Sequence, residues 1–226
     1  MALPEKVVYL DPTQPYERRR FTHGHEIGHK VLRWHHDAYY ADDFTRLRAD
    51  TRDALEQEAN AFSAELLFGL ERFTEQADSY APSIDVPLAL NPEYAVSAQA
   101  SLRRYAEQSS RPLALLALGR YPVHPDGERS LKVMTSQCTQ SASFLERYGP
   151  ITEIAPAALS TARFPLAAEA AQLDIGVGTK TTEITLDTAR GQERFEVGLF
   201  CNGRLRFALL YRRTILSGRR VRVVAA

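Results

Sequence analysis

Five of the chain's six histidines fall between residues 21 and 36, in FTHGHEIGHKVLRWHH. No other stretch constrains the fold as much. His25-Glu26-Ile27-Gly28-His29 places two histidines at i and i+4, and a helix brings such a pair to one face, a turn apart, where both imidazoles reach a single ion. Glu26 is angled to hold a carboxylate beside a water on that ion. The spacing predicts a helix with Thr22 as N-cap, running to about His36, with Ile27, Val31 and Trp34 on its apolar side.

A catalytic zinc site takes three protein ligands and keeps one position open, so a third donor must come from another element. A second helix is predicted over about Thr51 to Thr74, where Leu55, Ala59, Phe62, Leu66, Leu70 and Phe73 recur at spacings of three and four as a core-facing stripe. Within its EQEANAFSAELL segment Glu56 lies beside the stripe, with Asn60 one turn on as a partner able to orient a ligating histidine. Glu58, two positions away and on a different face, is the competing ligand; helical geometry favours Glu56. His23, His35 and His36 read as polar residues at the helix end, and His124 in PVHPDG as a loop residue, because one zinc needs no more than three protein donors. Two imidazoles and a carboxylate around an open position suit Zn2+ best, with Mn2+ and iron as alternatives.

Elsewhere in the first half, Lys6 to Leu10 reads as a short buried strand closed by the turn-rich DPTQP. Prolines interrupt the helical pattern after Asp78, and Ser97 is the expected N-cap of a third helix, SAQASLRRYAEQSS, ended by Arg111-Pro112. Beyond it the texture changes to strand-like runs, LALLALGRY, SLKVMTSQC, TTEITLD, RFEVGLF and LRFALLY, with helix-like SFLERYG and RFPLAAEAAQLD between the second and third. Asn202-Gly203 predicts a type I′ hairpin turn in which both residues take positive φ. A boundary near residue 112 thus separates a helical half from an α+β half built on an antiparallel sheet.

Charge narrows the partners. Lys and Arg total 28 against 28 Asp and Glu, so no global field drives the molecule to nucleic acid or an anionic membrane. Residues 84 to 109 could form a DNA-binding helix-turn-helix with Ser97 to Ser109 as recognition helix. Arg103, Arg104 and Arg111 against Glu107 are a thin basic face for that, so packing or substrate docking is the favoured role. The basic end, RRTILSGRRVRVVAA, reads as a frayed last strand with solvated arginines. With neither an apolar leader nor a membrane-length stretch the chain is expected in the cytoplasm, and Cys138 and Cys201 as free buried thiols.

RRRFTHGHEIGH followed by EQEANAFSAELL resembles the ImmA/IrrE family of zinc metallopeptidases, whose pattern is RxFTxAHExGH and a later E-x-x-A-N-x-F-A-x-E-L-L helix. AVSAQASLRRYAEQSSRPLALLAL is similar to the helix-turn-helix-like middle segment of the IrrE/PprI radiation-response regulators and the strand that follows it. The resemblance implies an α+β chain with a helical zincin-like metallopeptidase domain over 1–80, a helix-turn-helix-like segment over 81–112, and a GAF-like sensor domain over 113–226 that takes an unknown small-molecule signal. It makes His25, His29 and Glu56 the metal ligands and Glu26 the catalytic base. It also implies site-specific cleavage of a helix-turn-helix repressor, which derepresses stress, prophage or mobile-element genes, after DNA damage in IrrE-type members. Tyr39, Tyr40, His23 and His35 are candidates for a second electrophile.

His23 and Gly24 depart from the family's apolar residue and Ala, and Phe68-Gly69 from its Met-Pro. Members usually carry a helix and a strand ahead of the segment where this chain begins, so a truncated form or a differently built substrate groove is expected. The alternative function is a DNA- or signal-binding regulator with little or no protease activity. Glu26 speaks against it, since a structural zinc site needs the histidines but not the base.

Overall fold

A computed structural model describes residues 8–35, 49–121, 130–151, 158–173 and 178–212. The chain divides into two compact units, Met1–Phe73 with Glu93–Ser97, and Thr74–Pro92 with Ala98–Ala226.

In the first unit, helix α1 spans Tyr16–Val31 and helix α2 Ala49–Phe68. Helix α1 starts well before Thr22, which lies inside it rather than capping it. Glu17 stands in its first turn and His29 and Lys30 in its last, the charge order a helix dipole favours. Its buried face also differs from the expected one. Val31 and Trp34 are more than half exposed, whereas Gly24, Gly28 and His29 are buried. The cause lies across the interface: a Cβ on Gly24 would stand 2.6 Å from Ser63 Oγ, and one on Gly28 would meet Phe62 Cδ1 at 3.1 Å and Ala59 Cα at 3.3 Å. Bare glycine backbone on α1 therefore packs against Ala59 and Ser63 of α2, and Ser63 Oγ donates to the Phe21 carbonyl at 2.8 Å. Close packing of this kind needs small residues, and an apolar-stripe count does not register them.

Helix α2 ends at Phe68 because Gly69 and Leu70 take positive φ (65° and 58°), earlier than the predicted Thr74. Leu70 is correspondingly exposed, as is Leu66 within the helix, while Phe73 is buried with its ring 4.9 Å from Phe68 and 5.1 Å from Tyr94. Val8 to Leu10 form no strand; Lys6 and Val7 lie outside the described residues. Helix α3, Arg72–Asp78, follows α2.

The second unit is built on an antiparallel sheet. Its strands are β1 (Ala114–Tyr121), β2 (Ser130–Val133), β3 (Thr139–Gln140), β4 (Ala158–Ser160), β5 (Thr179–Thr188), β6 (Gly191–Cys201) and β7 (Leu205–Tyr211), ordered β4-β2-β1-β7-β6-β5 with β3 also on β1. On one face Ala114, Leu116 and Leu118 share a buried cluster with Phe144 and Tyr148 of helix α6 (Ala142–Tyr148) and with Leu166, Ala167 and Ala170 of helix α7 (Pro165–Ala171). The alternating Leu113, Leu115 and Ala117 are buried as well. Burial on both faces is why LALLAL is an unbroken apolar run.

Helices α4 (Asp85–Tyr94) and α5 (Ala98–Gln108) precede the sheet. Helix α4 forms across the segment where prolines were expected to interrupt. Pro87 falls in its first turn, where the missing N–H has no intrahelical partner to lose. Ile84 sits so close to Gly198 of β6 that a Cβ there would lie 2.6 Å away, and Ser101 Oγ of α5 donates to the Pro87 carbonyl.

Two strand details differ from expectation. The SLKVMTSQC run is strand only to Val133 and then turns through a 3-10 segment, Thr135–Gln137, before β3. The β6–β7 hairpin forms, but Asn202 is not at positive φ. Only Gly203 is, at φ 92°, and Asn202 N–H donates to the Leu205 carbonyl at 3.1 Å across the turn. Asn202 contributes through its side chain instead, Oδ1 accepting from the Arg204 and Leu205 N–H groups at 3.0 and 2.8 Å. Cys138 and Cys201 are free thiols, and burial pushes that of Cys138 up. No helix among the described residues is long and apolar enough to cross a membrane.

Candidate metal centre

Because α1 and α2 approach closely at Gly24 and Gly28, the side chains of the next residues, His25 and His29, reach one point with Glu56 of the facing helix. His25 Nε2 and His29 Nε2 stand 3.1 Å apart, Glu56 Oε2 is 3.2 Å from the first and Glu56 Oε1 3.5 Å from the second. A tetrahedral ion with arms of about 2.0–2.1 Å sets its donors roughly 3.3–3.4 Å from one another. The observed triangle has those dimensions, so His25, His29 and Glu56 could hold a metal ion.

The hydrogen bonds behind the donors point the same way. His25 Nδ1 faces Asn60 Oδ1 at 3.0 Å, which makes Nδ1 the protonated nitrogen and leaves Nε2 with a lone pair. Asn60 takes the orienting position anticipated from its place one turn beyond Glu56. His29 is buried, and burial followed by the neighbouring His25 lowers its pKa against the opposing pull of Glu56. A neutral imidazole is the form a metal requires. Two such nitrogens and a carboxylate converging at these distances are held together most stably by a positive charge between them.

Glu58 does not reach this point. Its Oε2 accepts from the indole N–H of Trp34 and lies 2.9 Å from His35 Nε2, and those two hydrogen bonds hold its carboxyl below the usual range. His35 is fully buried just past the end of α1, not a solvated helix-end residue, and its Nδ1 lies 2.8 Å from His29 Nδ1. With both ring nitrogens engaged, it is not aimed at a substrate as an electrophile. The missed signal was the turn after Val31: Leu32 is extended and His35 N–H donates back to the Leu32 carbonyl, which folds His35 inward instead of continuing the helix. His23 is exposed; His36, Tyr39, Tyr40 and His124 lie outside the described residues. Glu26 is half-buried next to His25 on α1, and its charge acts on His29.

On α5, Arg104 is buried and Arg103 pairs with Glu107 at 3.7 Å, so that helix offers little free positive charge to a phosphate backbone.

Two helix-borne histidines and a glutamate from the facing helix, with Glu26 alongside, have the composition of a metallopeptidase-type site. The comparison of families agrees. Residues 2–105 match the IrrE N-terminal-like domain of peptidase family M78, which supports the ImmA/IrrE family for this segment. No curated protein matches the chain.

Gly24, directly before His25, and Ser63, directly after Phe62 of α2, are matched to one another. The Ser63 hydroxyl occupies the space a Cβ at position 24 would need, at 2.6 Å.

Proposed function

We propose that the chain is a zinc-dependent, site-specific endopeptidase of the cytoplasm that cuts a helix-turn-helix repressor and so derepresses stress-response genes. The observation that carries this reading is the convergence of His25, His29 and Glu56 on one point beside Glu26. Zinc held by those three side chains would supply a Lewis acid that polarises the scissile carbonyl and acidifies a water.

Glu26 does the proton chemistry. Its carboxylate takes a proton from the attacking water as the hydroxyl adds to the carbonyl carbon, then delivers that proton to the leaving amine nitrogen as the C–N bond breaks. His25 and His29 serve as neutral donors throughout, fixed from behind by Asn60 and His35. The sheet unit, GAF-like in this reading, takes a small-molecule signal that governs cleavage. The resemblance to IrrE-type regulators supports DNA damage as the origin of that signal.

The test is incubation of the zinc-loaded full chain with helix-turn-helix repressors from the same genome, read by mass spectrometry. A single internal cut, reduced at least about 10²-fold by Glu26→Gln while one zinc per chain is retained, is the expected result. Intact repressors throughout, or an equal cut by the Gln variant, would overturn the proposal.

A further inference from the structure

The buried pair His29 and His35 raises a question of proton placement. Two imidazoles in contact through Nδ1 and Nδ1 at 2.8 Å need one donor and one acceptor. Which is which follows from the outer end of the row. An ionised carboxylate only accepts, so His35 Nε2, 2.9 Å from Glu58 Oε2, carries a hydrogen. A neutral His35 then has its lone pair on Nδ1, His29 must donate from Nδ1, and His29 Nε2 is left with the lone pair directed at Glu56 and His25. The reverse arrangement would put a hydrogen on His29 Nε2, where no metal could bind. Trp34 holds the same Glu58 oxygen in place, so the row runs from a half-exposed carboxylate to the metal point without a break.

We propose that His35 and Glu58 are positioning residues of the metal centre: Glu58 sets the tautomer of His35, and His35 fixes the tautomer and ring orientation of His29. This rests on the metal-site reading above and adds residues to it. His25 is oriented by one neutral amide, Asn60, whereas His29 is oriented through a second imidazole and a charge. A partner that holds the ring of a ligating histidine is typically worth about 10–100-fold in metal affinity.

The experiment uses the full metal-free chain, titrated with Zn2+ against a chromophoric chelator, for wild type, Glu56→Ala, His35→Phe and Glu58→Gln. His35→Phe fills the buried volume without an acceptor for His29, and is expected to weaken zinc binding by roughly 10–100-fold. Glu58→Gln keeps an oxygen that can accept from His35, and should lose less than about tenfold. In parallel, long-range 1H–15N spectra of the wild-type imidazoles should show His29 protonated at Nδ1 and His35 at Nε2, a signature that packing alone would not impose. Zinc lost in Glu56→Ala but bound with wild-type affinity by His35→Phe overturns the positioning role alone. Unchanged affinity in Glu56→Ala overturns the metal centre and the positioning role with it. If His35→Phe does not fold, the spectra decide: a hydrogen on His29 Nε2 refutes the proposal.

Discussion

Gly24 and Ser63 form a pair whose coupling can be worked out from the contact between α1 and α2. Replacing Gly24 by Ala gains about 0.8–1.0 kcal/mol of helix propensity, but its Cβ would stand 2.6 Å from Ser63 Oγ. The hydroxyl must move or the helices must part, at a cost on the order of 1–3 kcal/mol. Moving the hydroxyl also breaks its hydrogen bond to the Phe21 carbonyl, worth about 1 kcal/mol. Gly24→Ala alone should therefore destabilise by on the order of 1–3 kcal/mol. Ser63→Ala alone loses about 1 kcal/mol through that hydrogen bond. In the double variant the nearest contacts become the 3.3 and 3.4 Å approaches to Cβ and Cα of residue 63. The helix gain then offsets the lost hydrogen bond, and stability returns close to wild type. The coupling energy is then on the order of 2–4 kcal/mol, at the top of the range for residues in direct contact. Trp34 is the chain's single tryptophan and hydrogen-bonds to Glu58 in the same unit, so its fluorescence in urea reports this unit and not the sheet. Additivity of the two single effects within about 0.5 kcal/mol would refute the argument.

Two further outcomes follow from the same contacts. Gly28→Val would press branched methyls onto Ala59 Cα, 3.3 Å from the first added atom; parting the helices should cost on the order of 1–3 kcal/mol and weaken zinc binding, and chelator competition showing wild-type affinity would contradict it. In the metal-free protein the pKa of His29 lies below its unfolded value, first through burial and then through His25. The unfolded chain then takes up more protons between the two values, so the contribution is intact above about pH 6.5 and lost as pH falls through the lowered pKa. Urea midpoints followed by Trp34 should drop on acidification through that window, and less steeply in His29→Gln; a midpoint that rises would show the sign to be wrong.

What the chain determines locally was legible in one dimension. The i, i+4 spacing of His25 and His29 needs only a helix to bring the two rings together, and the β-branched and leucine runs from Ala114 onward need only extended backbone to form strands. The hairpin between β6 and β7 was also readable, although its turn slid by one residue because Asn202 bonds through its side chain instead of adopting positive φ. Tertiary structure decided which face of α1 is buried. Apolar periodicity points to Ile27, Val31 and Trp34, yet the helices meet where Gly24 and Gly28 let two backbones approach, and that depends on Ala59 and Ser63, more than thirty residues away. The same holds for His35 and Glu58. Each looks like an ordinary polar residue in sequence. Only the turn at Leu32, which folds one ring behind His29 and within reach of a carboxylate on another helix, gives them a place behind the His25, His29 and Glu56 cluster. Spacing along a helix is set by covalent geometry, whereas a contact between helices is set by what both surfaces leave room for.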